Sequence, residues 1–236
     1  MFEPRFLMRK LLLIAVFAVA FAFPSGASAR IVELGAEAEA VNPSCPADPC
    51  EAAVRVTALQ GRSSGGPKNP YYIRREGWLV AFTVTLSKPS AEQIEFFTDN
   101  FGSPPAVQLA VLRRGETRET RLNYRLISES ETFPVEDYFG SSPTFVLEQP
   151  LRVTRGNWVG VTVDTWAPMF ANNLTRGNWW RSSRAKRSCD PPRSLNQFAM
   201  EDRGGVSVFG CTYHGARLLY TATFIPDNRP TTEEAG

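Results

Sequence analysis

Histidine is nearly absent from this chain: His214 is the single one in 236 residues. A Ser-His-Asp hydrolase would have to be built on that one residue, and no G-x-S-x-G elbow supplies a nucleophile for it. His214 lies three residues after Cys211 and just before a strongly alternating segment, the setting of a turn residue without a catalytic task. Metal ligation is equally short of material, because Cys45 and Cys50 have no second nearby pair to complete a zinc site. No apolar run reaches the ~20 residues that span a bilayer. The longest, Leu11 to Phe23, is followed at once by Pro24 and Gly26. No long stretch holds apolar side chains at helical spacing, which argues against a helical fold. Net charge is also scarce. The 26 Lys and Arg oppose 24 Asp and Glu. Residues 1–29 hold three of these bases and one of the acids, leaving 23 of each sign in the remainder. Global charge therefore gives no reason to expect a nucleic-acid partner, and only local clusters count.

What is present at the N-terminus has the three parts of a secretory signal peptide. Arg5, Arg9 and Lys10 form a basic region, Leu11 to Phe23 an apolar one, and Ala27-Ser28-Ala29 a small-residue cleavage site. Cleavage after Ala29 predicts an exported protein, secreted or at the cell surface, with no transmembrane segment after signal removal. The four cysteines all follow that point, and an even number in an oxidising compartment favours disulfides. Of the three pairings, the spacing favours Cys45 with Cys50 across a short Pro-containing turn, and Cys189 with Cys211 across a longer loop.

Period-two alternation dominates the rest. Residues 30–52 read as an extension with a local disulfide, 53–225 as one β domain, and 226–236 as a polar tail expected to be disordered. Strands are expected at Ala53 to Gln60, around Val80, Phe82, Val84 and Leu86, through Val107, Leu109 and Val111, and through Leu122, Tyr124 and Leu126. Further ones follow at Thr144 to Leu147, Leu151 to Thr154, Val159 to Val163 and Leu218 to Phe224. About eight strands in this length predict an all-β fold, an antiparallel two-sheet sandwich of jelly-roll type. The passage Val153-Thr-Arg-Gly156-Asn157-Trp158-Val159-Gly160 resembles the V-x-x-G-[DN]-x-[VI]-G strand-turn-strand phrase of secreted bacterial jelly-roll-like β-sandwich modules, carbohydrate-binding ones among them. The resemblance covers eight residues. It implies a turn between paired strands and transfers no ligand residues.

Residues 165–210 are the least regular, and loops on a rigid scaffold are where function concentrates. Within them Thr175 to Arg193 holds six bases, Arg176, Arg181, Arg184, Lys186, Arg187 and Arg193, against Asp190, with Trp179-Trp180 in their midst. Adjacent residues of a strand face opposite ways, so one indole is expected in the core and the other outside. An exposed indole stacks on a sugar ring while guanidinium groups fork to carboxylate, sulfate or phosphate. Trp166, Trp179, Trp180, Arg181 and Arg184 are therefore the candidate ligand residues, for a polysaccharide or anionic envelope polymer. The same residues also suit a core Trp with a solvated charged rim. An enzyme alternative is a glycan hydrolase using two carboxylates drawn from Glu76, Asp99, Glu136, Asp137, Asp164, Glu201 and Asp202. A third is a protein-interaction module without a small ligand. No cofactor is expected beyond a structural calcium ion, suggested by the acids Glu129, Glu131, Glu136 and Asp137.

Overall fold

A computed structural model describes residues 30–36, 40–189 and 197–227. The expected signal segment (1–29), the tail from 228 onward, and Asp190 and Arg193 lie outside the described residues. Among them run fourteen strands and one α-helix. The strands are β1 (Val32–Leu34), β2 (Ala53–Arg62), β3 (Gly77–Val84), β4 (Ala106–Arg114), β5 (Asn123–Glu129), β6 (Phe133–Pro134) and β7 (Thr144–Val153). They continue as β8 (Asn157–Ala167), β9 (Phe170–Ala171), β10 (Trp179–Ser182), β11 (Val206–Val208), β12 (Cys211–His214), β13 (Arg217–Leu218) and β14 (Tyr220–Pro226). The count exceeds eight because the irregular stretch contributes short strands: β10 and β11 fall where the sequence offers brief candidates, near Asn178 to Arg181 and Val206 to Phe209, and β9, β12 and β13 are too short for alternation to mark.

The expected all-β, antiparallel sandwich is present. One sheet has the order β1-β14-β3-β7 and the other contains β5-β4-β8-β2. Leu79, Phe82, Val84 and Ala222 of the first face Val107, Leu109, Val111, Val159, Val161 and Val163 of the second in one core. Alternation places these side chains, since every second residue points inward. A bulge between Leu79 and Ala81 breaks the period in β3, so Leu79 rather than Val80 is buried and Trp78 is turned outward. The two expected strands at 144–147 and 151–154 are one strand, β7. Pro150 is tolerated inside it because β7 is an edge strand, with partners on one side only. The turn at Gly156 is also present, with Gly156 at φ 94°. It corrects the implied pairing: β7 and β8 lie in different sheets, so the turn carries the chain across the sandwich.

The helix α1 (Ala91–Phe101) is an element the absence of long helical periodicity did not anticipate. Its local signals are complete. Ser90 caps it in a reciprocal capping box with Gln93, and Gly102 ends it at φ 96°. Ile94, Phe97 and Phe101 share a face, and Phe97 is driven under the sheets onto Trp166.

The larger sheet continues past β2 as β10 and β12, and past β5 as β11. Only Phe209 and Gly210 separate β11 from β12 in sequence, although the two strands stand at opposite ends of the strand order. Phe209 N–H donates to Leu122 O (2.7 Å) and Gly210 N–H to Arg184 O (2.8 Å). One kinked strand thus joins β5 to β10 and curls the sheet into a ring of antiparallel neighbours, removing its free edges. A second apolar cluster, including Leu59, Leu112, Tyr124, Leu126, Trp158 and Phe209, fills the ring. Two disulfides, Cys45–Cys50 and Cys189–Cys211, tie the N-terminal segment and the closing strand. No helix among the described residues is long and apolar enough to cross a membrane.

Candidate functional site

The basic, Trp-bearing segment becomes β10, held to β2 by the buried side chain of Gln60. Its amide donates to Arg62 O (2.8 Å) and Trp179 O (3.0 Å) and accepts from Leu218 N–H (2.8 Å). Because β10 is a wall between the ring and the sandwich, its side chains separate. Trp180 goes to the sandwich side and joins the main core; Trp179 and Arg181 go to the ring side. The residues expected to form one site are therefore split between two.

Two of the tryptophans lie in the core. Trp166 is fully buried, stacked on Phe97 with centroids 5.0 Å apart and flanked by Phe139 at 5.5 Å. It fills the core because Phe97 and the sheet close over both its faces. Trp180 has Tyr213 stacked on one side (4.3 Å) and Phe170 packed at 4.9 Å, so no ring face is left for a sugar. Arg184 is likewise buried, at 5 % exposure, donating to Val54 O (2.9 Å) and Tyr213 Oη (3.4 Å).

Trp179 and Arg181 lie together on the ring side of β10. The Trp179 ring lies directly on Gly61, where a Cβ would come within 1.9 Å of a ring carbon, so this glycine is a seat for the indole. Arg181 reaches over the ring, its guanidinium carbon 5.4 Å from the centroid. Its Nε is buried and has no partner among the described residues. Burial, and then the charges of Arg114 and Arg121, pull the Arg181 guanidinium below its ordinary value, while the Tyr124 hydroxyl works in the opposite sense. Burial raises Tyr124 itself. Arg114 Nε donates to Arg121 O (2.6 Å), which keeps these two together.

This cluster connects to a groove that sequence reasoning missed. Arg62 pairs with Trp179 on one side and bridges Lys68 on the other. Lys68 then lines a groove of ≈ 350 Å³ together with Arg30, Arg74 and Arg75, over an apolar floor that includes Val32, Tyr72 and Phe224. Among the described residues no carboxylate lines it. The Arg74 guanidinium lies over Tyr72 at 5.8 Å, and Tyr72 meets Trp158 edge-on at 5.3 Å. At each end of this band a guanidinium thus lies over an aromatic ring, Arg74 over Tyr72 and Arg181 over Trp179. The only sequence hint was the pair Arg74-Arg75 after Tyr71-Tyr72; the partners at Arg30 and Lys68 are brought in by tertiary pairing. Tyr71 itself is core, stacked on Tyr220 at 4.2 Å.

A second groove, of ≈ 540 Å³, runs along the β5 and β7 edges and is lined by Trp78, Glu129, Glu131, Glu148, Arg152 and Arg203 among others. Trp78 is 42 % exposed, with Arg152 over its ring at 5.2 Å. Glu129 Oε2 and Asp164 Oδ1 are buried without a hydrogen-bond partner among the described residues. Burial, reinforced by the charges of Asp164 and Glu201, pushes the Glu129 carboxyl up to about 7. Burial, and then the charge of Glu201, raises Asp164 as well. The acids considered for calcium do not gather: no group of three His, Cys, Asp or Glu among the described residues is placed to hold a metal. Glu136 and Asp137 sit instead in a short 3-10 turn, Glu136–Tyr138.

Comparison of the chain with protein-family models, with curated proteins and with solved structures finds no match.

Proposed function

We propose that this chain is an exported jelly-roll binding module that recognises an acidic polysaccharide along the cationic band from Arg30 and Arg74 to Arg181. The strand orders β1-β14-β3-β7 and β5-β4-β8-β2 support the jelly-roll reading, since every step between these eight strands except β4 to β5 crosses between the sheets. Two disulfides fit an oxidising, extracellular setting. The observation that carries the function is the groove whose four charged lining residues are all basic. In a chain of nearly balanced charge, a cationic groove with no carboxylate among its described lining residues, leading to a half-buried guanidinium whose Nε has no hydrogen-bond partner among the described residues, calls for an anionic ligand that extends over several residues.

The test is retention on a sulfated polysaccharide and a uronate polymer, against neutral dextran and single-stranded DNA. Retention on the acidic glycans, released by raised salt and lost in an Arg74→Gln, Arg75→Gln, Arg181→Gln variant that melts normally, is the expected result. Equal binding to dextran, unchanged binding by the variant, or retention by DNA alone would overturn the reading.

A second reading, glycan hydrolysis, is favoured by Glu129. A half-buried carboxyl that keeps its proton near neutrality, beside an exposed Trp in a groove, has the properties of a general acid. Release of reducing ends from a glycan, abolished by Glu129→Gln, would establish it; activity retained by that variant would remove Glu129 from the chemistry.

A further inference from the structure

On the sandwich side of β10 lies a cavity of ≈ 590 Å³ that the polysaccharide reading does not use. Its walls come from α1, the start of β2 and the closing strand, and one cysteine of each disulfide, Cys50 and Cys189, lines it. Phe96, Phe97, Phe170, Trp180 and Tyr213 make it predominantly aromatic. Arg184 stands in this apolar wall, and no carboxylate among the described residues forms an ion pair with it. The Nε of Arg184 and the Nε1 of Trp180 are both buried donors without an acceptor among the described residues. Glu51 also lines the cavity, but burial raises its carboxyl, which works against its serving as a fixed counter-charge.

A buried guanidinium is costly unless an anion compensates it, and among the described residues this one meets a carbonyl, a phenolic oxygen and, at 5.6 Å, the face of the Phe198 ring, none of them an anion. The volume falls within the range of small-molecule sites, roughly 300 to 1,000 Å³, and such sites combine apolar walls with a few convergent polar groups. We propose that the cavity binds a small amphipathic carboxylate, its acid group at Arg184 and its alkyl or aryl body between the Phe96/Phe97 face of α1 and the Trp180-Tyr213 stack. A neutral sugar is a poor occupant, because both faces of Trp180 are already covered and few hydroxyl partners line the walls. A free inorganic anion leaves the aromatic wall unfilled. Arg184 therefore sets the charge of the ligand, and the phenylalanines of α1 set its body.

The experiment is calorimetric titration of the full exported chain with decanoate, decanol and decyltrimethylammonium. Decanoate is expected to bind one to one at sub-millimolar concentration, at least tenfold more tightly than decanol, with no binding of the cation. Arg184→Met should reduce decanoate affinity at least tenfold and leave decanol unchanged. Arg184→Lys retains the charge should the methionine variant fail to fold, and Ala52→Phe, a change at the cavity wall, should block both decanoate and decanol. Failure of the wild-type protein to take decanoate, equal affinity for the alcohol, or full binding by the Ala52→Phe protein would overturn the assignment. Retention on acidic polysaccharide belongs to the other side of β10 and should survive Arg184→Met, so the two sites fail separately.

Discussion

If residues 206–214 close the larger sheet on itself, Phe209 is the residue on which that closure turns, and Phe209→Ala is its test. The ring is fully buried at the kink between β11 and β12 and packs on Tyr124 with centroids 4.5 Å apart. Removing a buried phenylalanine costs about 3 to 5 kcal/mol in transfer and cavity terms. The lost contact with Tyr124 accounts for about 0.5 to 1.5 kcal/mol of that. Collapse of the site is restricted, because Phe209 N–H and Gly210 N–H are both fixed to neighbouring chain segments. A value near 4 kcal/mol is therefore expected. With a urea m-value of about 2 kcal/mol per molar, the midpoint should fall by roughly 2 M. Hydrogen exchange should show lost protection in β10 and β5 together, since both lose their shared partner. A loss under about 1 kcal/mol, or exchange confined to 206–214, would mean that the strand lies on the sheet without closing it.

Three further outcomes follow from the same geometry. Replacing Cys189 and Cys211 by Ser should lower stability by about 3 kcal/mol in the chain-entropy account of a 22-residue separation, read by urea denaturation of the double variant. Glu129 binds more protons folded than unfolded between its ordinary value of 4.5 and its folded value of about 7, so its contribution to stability is greatest below that window and declines as pH rises through it. Glu129→Gln should flatten the melting-temperature profile over that range, and an unchanged profile would refute the assignment. Gly61→Ala should push the Trp179 ring off its seat, seen as a shift in tryptophan emission with little loss in stability, and weaken polysaccharide retention several-fold.

The β class, the sandwich, the cysteine pairing and the inward runs of β4, β8 and β14 were legible because each rests on local alternation or spacing. Val80 was misread because a bulge is a two-strand event: the partner strand, not the β3 sequence, decides where the period slips. The helix was legible in principle, through Ser90, Gln93 and Gly102, but its apolar face is only three residues long and escaped a search for extended periodicity. At the site, the opposite facing of Trp179 and Trp180 was readable from strand geometry. That Trp166 would be covered by Phe97 was not, since those residues are 69 positions apart and meet only because α1 folds under β8. The all-basic groove was unreadable for the same reason. Arg30, Lys68 and Arg74 are unremarkable in sequence and converge only when β1 pairs with β14.

The order of the strands explains why the basic segment carries two sites. Strands β9 to β13 all fall between β8 and β14, so they form one insertion in an otherwise regular winding. A sheet edge at β2 would expose unpaired backbone, and the insertion covers it with β10, reaches the other edge at β5 through β11 and returns to β10 as β12. Covering an edge requires only backbone pairing, which leaves the side chains of β10 free to differ on its two faces. One face completes the sandwich core and walls the cavity at Arg184; the other meets the ring and the cationic band at Arg181. A substitution that slips the β10 register by one residue would exchange Trp179 for Trp180 and Arg181 for Ser182. Gln60 holds the register through its bonds to Trp179 O and Leu218 N–H, so Gln60→Leu should impair decanoate binding and polysaccharide retention together, whereas Arg184→Met and Arg181→Gln each impair one.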